Sequence, residues 1–292
     1  MISIVITTFN EPQTIGKAIE SIVKQKIKES YELLVVCPDK PTIKVIESYA
    51  KKYPQVKHVM DDGKGKSYAI NLLLKELIGR IIILTDGDVY VSENSINHII
   101  EVFKDEKVGC VSGRPVSIED KNTMLGYWSH LLCDSAHYLR LERNKKNDFL
   151  ECSGYFWAFR NNIIESFPLD VAEDSVIPCM FWKKRYKIKY SPNSIVYVSY
   201  PKNFQDFIKQ KKRTIKSHEK IHKYIEKRPK MKTFSSESLG IWYVLLYPST
   251  IKEFFYTLIV IPVRAYLWFI AYKEYILKKE YNDAWERVES TK

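Results

Sequence analysis

The 292-residue chain carries 46 Lys and Arg against 35 Asp and Glu, a formal net charge of +11, and 45% of it is hydrophobic. That apolar share excludes a disordered chain, and the charge points to anionic partners: nucleic acid, nucleotide phosphates or an acidic membrane face. The five cysteines (Cys37, Cys110, Cys133, Cys152 and Cys179) are scattered, odd in number and without a C-x-x-C pair, which argues against a disulfide framework or a cysteine zinc site and for a reducing compartment.

In chain order, the N-terminus lacks the basic region and cleavage site of a signal peptide and reads at once as a strand, Ser3 to Thr8. Further short Val/Ile-rich runs predict strands at Glu32 to Val36, Val56 to Val59, Arg80 to Thr85 and Val108 to Ser112. Helical patterns lie between them. One follows Pro12, with Ile15, Ile19, Ile22 and Val23 at helical spacing; others follow Pro41, Gly65 and Ser92. Strand–helix alternation predicts an α/β doubly wound, mostly parallel sheet, in which ligands bind outside the carboxyl ends of the strands. Residues Gly113 to Ser153 read as mainly helical and aromatic, and "KIKYSPNSIVYVSYP" as extended.

Four stretches carry candidate chemistry. "DDGKGKSYAIN" (Asp61 to Asn71) is not a Walker loop, because Met60 stands where that loop needs glycine. Lys66 there is either a surface lysine opening a helix or an anion holder at a helix start, where anions are favoured. "LTDGDVYV" delivers Asp86 and Asp88 at a strand's C-terminal end. A calcium loop would need glycine where Val91 stands. The pair is either an Asp-Gly turn or a hard-metal site for Mg²⁺ or Mn²⁺. In "PLDVAEDSVIP", adjacent Glu173 and Asp174 cannot share a helix face. One could enter a cleft, and Asp174 could equally be a plain N-cap. "HEKIH" (His218 to His222) matches H-E-x-x-H literally, but the sequence identifies no third zinc ligand and the surrounding lysines repel a dication.

Taken in order, these pieces resemble the family 2 inverting glycosyltransferases of GT-A fold. "SIVITTFNEPQTIGKAIESI" is similar to that family's first strand and nucleotide-binding loop, "ELLVVCPD" to its second strand, "GKGKSYAIN" to its Gly/Lys helix start, "LTDGDVYV" to its D-x-D motif and "AEDSVIP" to its E-D motif. "QKKRT" is similar to the Q-x-x-R-W motif of polymer-forming members, with Thr214 in place of Trp. The resemblance covers Ile2 to Thr214. It implies nucleotide-sugar contacts from Thr8, Phe9, Glu11, Asp39, Lys66, Asp86, Gln210 and Arg213, a divalent metal on Asp88, and Asp174 as the base that deprotonates a hydroxyl acceptor.

The expected organisation is a catalytic domain over residues 1–220 and a basic, apolar helical region over 221–292. Lys202 to Lys232 holds twelve Lys or Arg against three acids, most of the chain's net charge. Phe254 to Tyr272 is apolar and about the ~20 residues a spanning helix needs. Pro262 and Arg264 near its middle favour two shorter helices lying in the interface over one span. Trp242, Tyr243, Trp268 and Tyr272 suit the headgroup boundary, and a buried helical pair is the alternative. The expectation is a peripheral or monotopic enzyme on the cytoplasmic face, with an anionic membrane surface as partner and a lipid-linked (polyprenyl, for instance) or membrane-proximal acceptor. Nucleic acid is not an expected partner, because the basic residues adjoin an apolar tail. Two rivals are a nucleotidyltransferase and a membrane-bound, non-catalytic binding module. The first lacks a Gly-rich loop after strand one; the second sits poorly with three retained acids.

Overall fold

A computed structural model describes residues 1–216, 221, 223–224, 241–276 and 289–291. The "HEKIH" motif and most of the basic run beyond Lys216 lie outside the described residues. The strands are β1 (Ile2–Thr7), β2 (Tyr31–Val36), β3 (Val56–Val59), β4 (Ile81–Asp86), β5 (Val89–Val91), β6 (Val108–Ser117), β7 (Phe156–Arg160) and β8 (Lys187–Val198). They form one eight-stranded sheet in the order β3-β2-β1-β4-β7-β6-β8-β5.

The four N-terminal parallel strands pair as expected, β1 with β2 and β4, and β2 with β3. Their side chains alternate between two cores. Ile4, Ile6, Leu33 and Val35 enter one with Ile81 and Ile83, while Val5, Leu34, Ile82 and Leu84 enter the other. A strand buried on both faces must read as an unbroken apolar run, so these strands are visible in the sequence. Helices α1 (Ile15–Val23), α2 (Lys40–Lys52) and α4 (Ser95–Val102) cover the first face. Helices α3 (Lys66–Leu73) and α6 (Glu173–Lys183) cover the second.

The other half of the sheet adds antiparallel pairs to a mostly parallel arrangement. β7 is antiparallel to both β4 and β6, and β5 is antiparallel to β8, so the sheet is mixed. The aromatic run Phe156–Arg160 is an inner strand, and β6 extends five residues past the predicted end at Ser112. All five cysteines are buried and unbridged.

Beyond the sheet, α5 (Met124–Lys145) and α7 (Phe204–Lys216) meet α8 (Ile241–Leu246) and α9 (Ile251–Ile276). Tyr127, Trp128, Leu131, Phe207, Val260 and Leu267 close a third, smaller core between them. The expected break at Pro262 is absent, and α9 runs through it as one helix. Proline removes one N–H donor, but the helix is held from its side. Trp128 Nε1 donates to Tyr256 O at 2.8 Å, and Tyr127 Oη and Thr257 Oγ1 are 2.6 Å apart. Tertiary contact of this kind outweighs one lost ladder bond.

Candidate active site

The strand order turns back between β1 and β4, and in such sheets ligands bind outside the C-terminal ends of the strands at that point. Thr7 and Asp86 are register partners there, so their side chains emerge side by side and Thr7 Oγ1 donates to Asp86 Oδ1 at 3.2 Å. Lys66 opens α3 directly after Gly65, whose φ of +112° is a conformation that favours glycine. The lysine is not on the surface. Its side chain is 14% exposed, and its ammonium lies 2.7 Å from Asp86 Oδ1 and 3.1 Å from Glu173 Oε1. It also donates to Gly154 O at 2.9 Å. Burial works against its charge, but Asp86 and Glu173 outweigh that and raise its pKa, so it is a cation at any working pH.

Glu173 and Asp174 occupy the first turn of α6, and the N-cap is Ala172, with no side-chain cap. The plain-capping alternative for Asp174 therefore fails. Both acids sit where the helix dipole favours negative charge. Glu173 turns to Lys66. Asp174 lies over Gly154, where an added Cβ would come within 3.2 Å of Asp174 Oδ2. The two adjacent acids thus flank the Gly154 peptide.

Asp88 faces the same space. Burial first, then the like charge of Asp86, push its carboxyl up to about 7, against the pull of Lys66 and Arg213. Tyr155 is near the same groups. Burial leads in raising its phenol, with Cys133 and Asp88 adding to the effect. Gly87 between the aspartates fits closely against the first loop, since a Cβ there would meet Thr8 Oγ1 at 2.4 Å and Glu11 Oε2 at 2.5 Å. Thr8 Oγ1 donates to Glu11 Oε2 at 2.7 Å.

On the β2 side, Asp39 is the N-cap of α2. Its oxygens accept from Thr42 N at 3.0 Å and Asn10 N at 2.6 Å. Burial acts to raise its pKa, and these N–H donors hold it below the ordinary carboxylate value. Glu11 N in turn donates to Thr42 Oγ1 at 2.8 Å, which ties the β1–α1 loop to the start of α2. Phe9 belongs to that loop. Gln210 and Arg213 lie on α7, and Arg213 is the one whose charge reaches Asp88.

Asp86, Asp88, Lys66 and Arg213 are thus brought into one electrostatic neighbourhood, with Asp174 across the Gly154 peptide from Lys66. Thr8 and Glu11 line its β1 edge, and Asp39, the N-cap of α2, is tied to the same loop through Asn10 N. Sequence reading missed the roles of Glu173, Gly154, Tyr155, Thr7 and Thr42. Glu173 had a signal in its adjacency to Asp174. The others carry no local signature.

The residue set suits a hard divalent ion. Asp88 is a buried carboxylate whose pKa is raised by burial and by the like charge of Asp86, and Mg²⁺-type sites use one or two carboxylates completed by substrate phosphates. Among the described residues no three His, Cys, Asp or Glu side chains converge as a metal cage.

Residues 3–167, more than half of the chain, match the sequence pattern described as "Glycosyl transferase family 2". The chain belongs to that family. It is 22% identical over 227 residues to a poly-beta-1,6-N-acetyl-D-glucosamine synthase of Staphylococcus epidermidis, covering 73% of this chain and 53% of that protein. To the probable glycosyltransferase YdaM of Bacillus subtilis it is 23% identical over 233 residues, covering 75% and 56%. The chain spans about half the length of the curated relatives it matches. Among solved structures it is similar to the mannosyltransferase PcManGT from Pyrobaculum calidifontis in complex with GDP-Man and Mn²⁺, with TM-score 0.62 and 18% identity over 90% of this chain and 74% of that one. It is also similar to S. aureus TarS 1–349 in complex with UDP-GlcNAc, with TM-score 0.51 and 16% identity over 73% and 65%. The fold of this family 2 chain is GT-A.

Proposed function

We propose that this family 2 chain is an inverting glycosyltransferase that moves a sugar from a nucleotide-sugar donor to a hydroxyl acceptor. One observation carries the reading: Asp86, Lys66 and Glu173 converge with Asp88 at the strand ends, and Asp174 stands across Gly154 from them. The relatives' printed names, two of them complexes with GDP-Man and UDP-GlcNAc, support it.

In this reading the donor diphosphate lies over Asp88, and the ribose side faces Asp86. Thr8, Phe9, Glu11 and Asp39 frame the nucleoside, and Gln210 and Arg213 of α7 close over the phosphates, Arg213 with its planar fork. Asp88 would hold Mn²⁺ or Mg²⁺, which when bound offsets the negative charge of the leaving diphosphate. Asp174 takes the proton of the acceptor hydroxyl. The acceptor oxygen bonds to the anomeric carbon from the face opposite the leaving group. The bond from that carbon to the phosphate oxygen breaks, the nucleoside diphosphate leaves with the electron pair, and the configuration inverts.

The acceptor in this reading is lipid-linked or membrane-proximal, and the enzyme is monotopic on the cytoplasmic face of an anionic membrane. The support is α9. Residues Ile251–Ile270 are long and apolar enough to cross a bilayer, yet one side is docked through Thr257, Val260 and Leu267. The opposite side exposes Ile251, Phe254, Phe255, Leu258, Ile259 and Phe269, an i, i+3, i+4, i+7, i+8 stripe. One docked face and one bare apolar face fit a helix lying in the interface plane. Trp242 and Leu246 of α8 are exposed as well, and the lysines of α7 supply charge for anionic headgroups.

The test is a panel of nucleotide-sugars, each with Mn²⁺, Mg²⁺ or chelator, read by thermal shift and by release of nucleoside diphosphate. Metal-dependent stabilisation by one donor class is expected. Stabilisation by none of them would overturn the reading.

A further inference from the structure

Lys66 is where the donor side and the acceptor side of the site meet. Its ammonium has three N–H donors, and three acceptors surround it: Asp86 Oδ1 from the end of β4, Glu173 Oε1 from the start of α6, and Gly154 O from the loop before β7. To grip a phosphate oxygen it would have to give one of these up. Two carboxylates would then face each other with less compensation in a buried place, which is costly.

The Gly154 contact matters most for Asp174. One side of that residue presents its carbonyl to Lys66, and the other lies against the Asp174 carboxylate. Cys152 N also donates to Asp174 O at 3.0 Å, so the same short loop braces the Asp174 backbone. Lys66 therefore touches both supports of Asp174: the preceding residue, Glu173, and the loop behind it.

We infer that Lys66 is a positioning residue, which locks the Glu173–Asp174 turn and the Gly154 loop onto Asp86 and so fixes the base relative to the donor, instead of serving as a phosphate ligand. The inference rests on the nucleotide-sugar reading above and deepens it. Glu173 is the second member of the device. It positions through Lys66, and neither residue exchanges a proton with substrate.

The experiment compares Lys66→Met, Glu173→Gln and the double variant with unsubstituted protein. Binding of UDP and of GDP with Mn²⁺ is measured by calorimetry, and donor hydrolysis is measured with saturating UDP-GlcNAc and GDP-mannose. Each single substitution is expected to lower kcat by about 10²-fold, the scale of a small misplacement of a reacting group. Nucleoside diphosphate Kd is expected to stay within about 3-fold, since the uniform binding that sets Kd is left in place. The double variant should be no slower than the slower single, because both break one linkage. A Kd raised tenfold or more in Lys66→Met with kcat retained would make Lys66 a phosphate ligand and overturn the proposal, as would losses that multiply in the double. If Lys66→Met fails to melt cooperatively, Glu173→Gln alone decides by the same split between kcat and Kd. Unsubstituted protein that binds neither UDP nor GDP would instead remove the donor reading itself, and this role with it.

Discussion

Trp128 donates its indole N–H to the backbone carbonyl of Tyr256 at 2.8 Å. This bond joins α5 of the catalytic core to α9, and the Trp128 ring is wholly buried against Phe207 of α7. It decides which side of α9 faces inward, and therefore which side is left bare. Charged substitutions on the bare side should abolish vesicle binding without unfolding the protein. Phe255→Glu with Leu258→Glu is expected to retain the wild-type melting temperature within a few degrees and to lose cosedimentation with anionic vesicles. Trp128→Phe, which removes this hydrogen bond while the carbonyl keeps its helical partner, should cost ~0.5–1.5 kcal/mol of stability. Undiminished vesicle binding by the double glutamate variant would disprove the docking face. Point substitutions serve better than removal of the whole tail, which would bare Trp128 and its neighbours.

Asp88→Asn should remove metal-dependent donor binding. The carboxylate is the buried oxygen donor suited to a hard divalent ion, and its amide counterpart is a poor ligand for one. Calorimetric titration of UDP or GDP with and without Mn²⁺ is the check. A variant that still binds more tightly with Mn²⁺ would show that the ion is held elsewhere.

Asp174→Asn should lower kcat by about 10²–10⁴-fold, the usual contribution of a general base, with nucleoside diphosphate binding little changed. Collapse of donor affinity would mark Asp174 as a donor-site residue and require another base.

His137 should make the fold acid-sensitive. Burial first, then the charge of Arg114, hold its pKa below the ordinary value, with Arg140 adding to them against Asp134, and the ring bonds Tyr190 Oη at 2.7 Å. The folded protein therefore resists a proton that the unfolded chain accepts at about pH 6.5. Its stabilising contribution is complete above about pH 6.5 and is lost as pH falls through the lower, folded value. Thermal melts from pH 7.5 to pH 5 should show a steeper fall in wild type than in His137→Gln. Equal slopes would exclude the linkage.

Gly87→Ala should disturb the first loop, because the added methyl would overlap Thr8 Oγ1 and Glu11 Oε2. Weakened nucleoside diphosphate binding with little change in melting temperature is expected. Unaltered binding would mean that the loop yields at no cost and that Thr8 and Glu11 do not frame the nucleoside.

The N-terminal half of the sheet and the strand-end aspartates were legible in sequence for one reason. Parallel strands buried on both faces must be written as short runs such as "IIIL", and the crevice lies where such runs end. Lys66 and Asp174 were legible as members of ordered motifs. Their arrangement was not. The three-way contact of Lys66 with Asp86, Glu173 and Gly154 joins four separate segments, and only the β1–β4 register and the docking of α6 bring them within 3.1 Å. The antiparallel β7 was hidden because its aromatic run, Phe156–Arg160, is short and carries none of the Val/Ile content by which the other strands were read. The C-terminal helix makes the same point energetically. Local rules place a break at Pro262, yet α9 is continuous, because Thr257, Val260 and Leu267 pack on α5 and α7 across that point. The sequence by itself determined that this segment is apolar nearly all round. The bonds from Tyr127 and Trp128 decided which face is core and which is left exposed, since a hydrogen bond between distant segments has no periodicity to read.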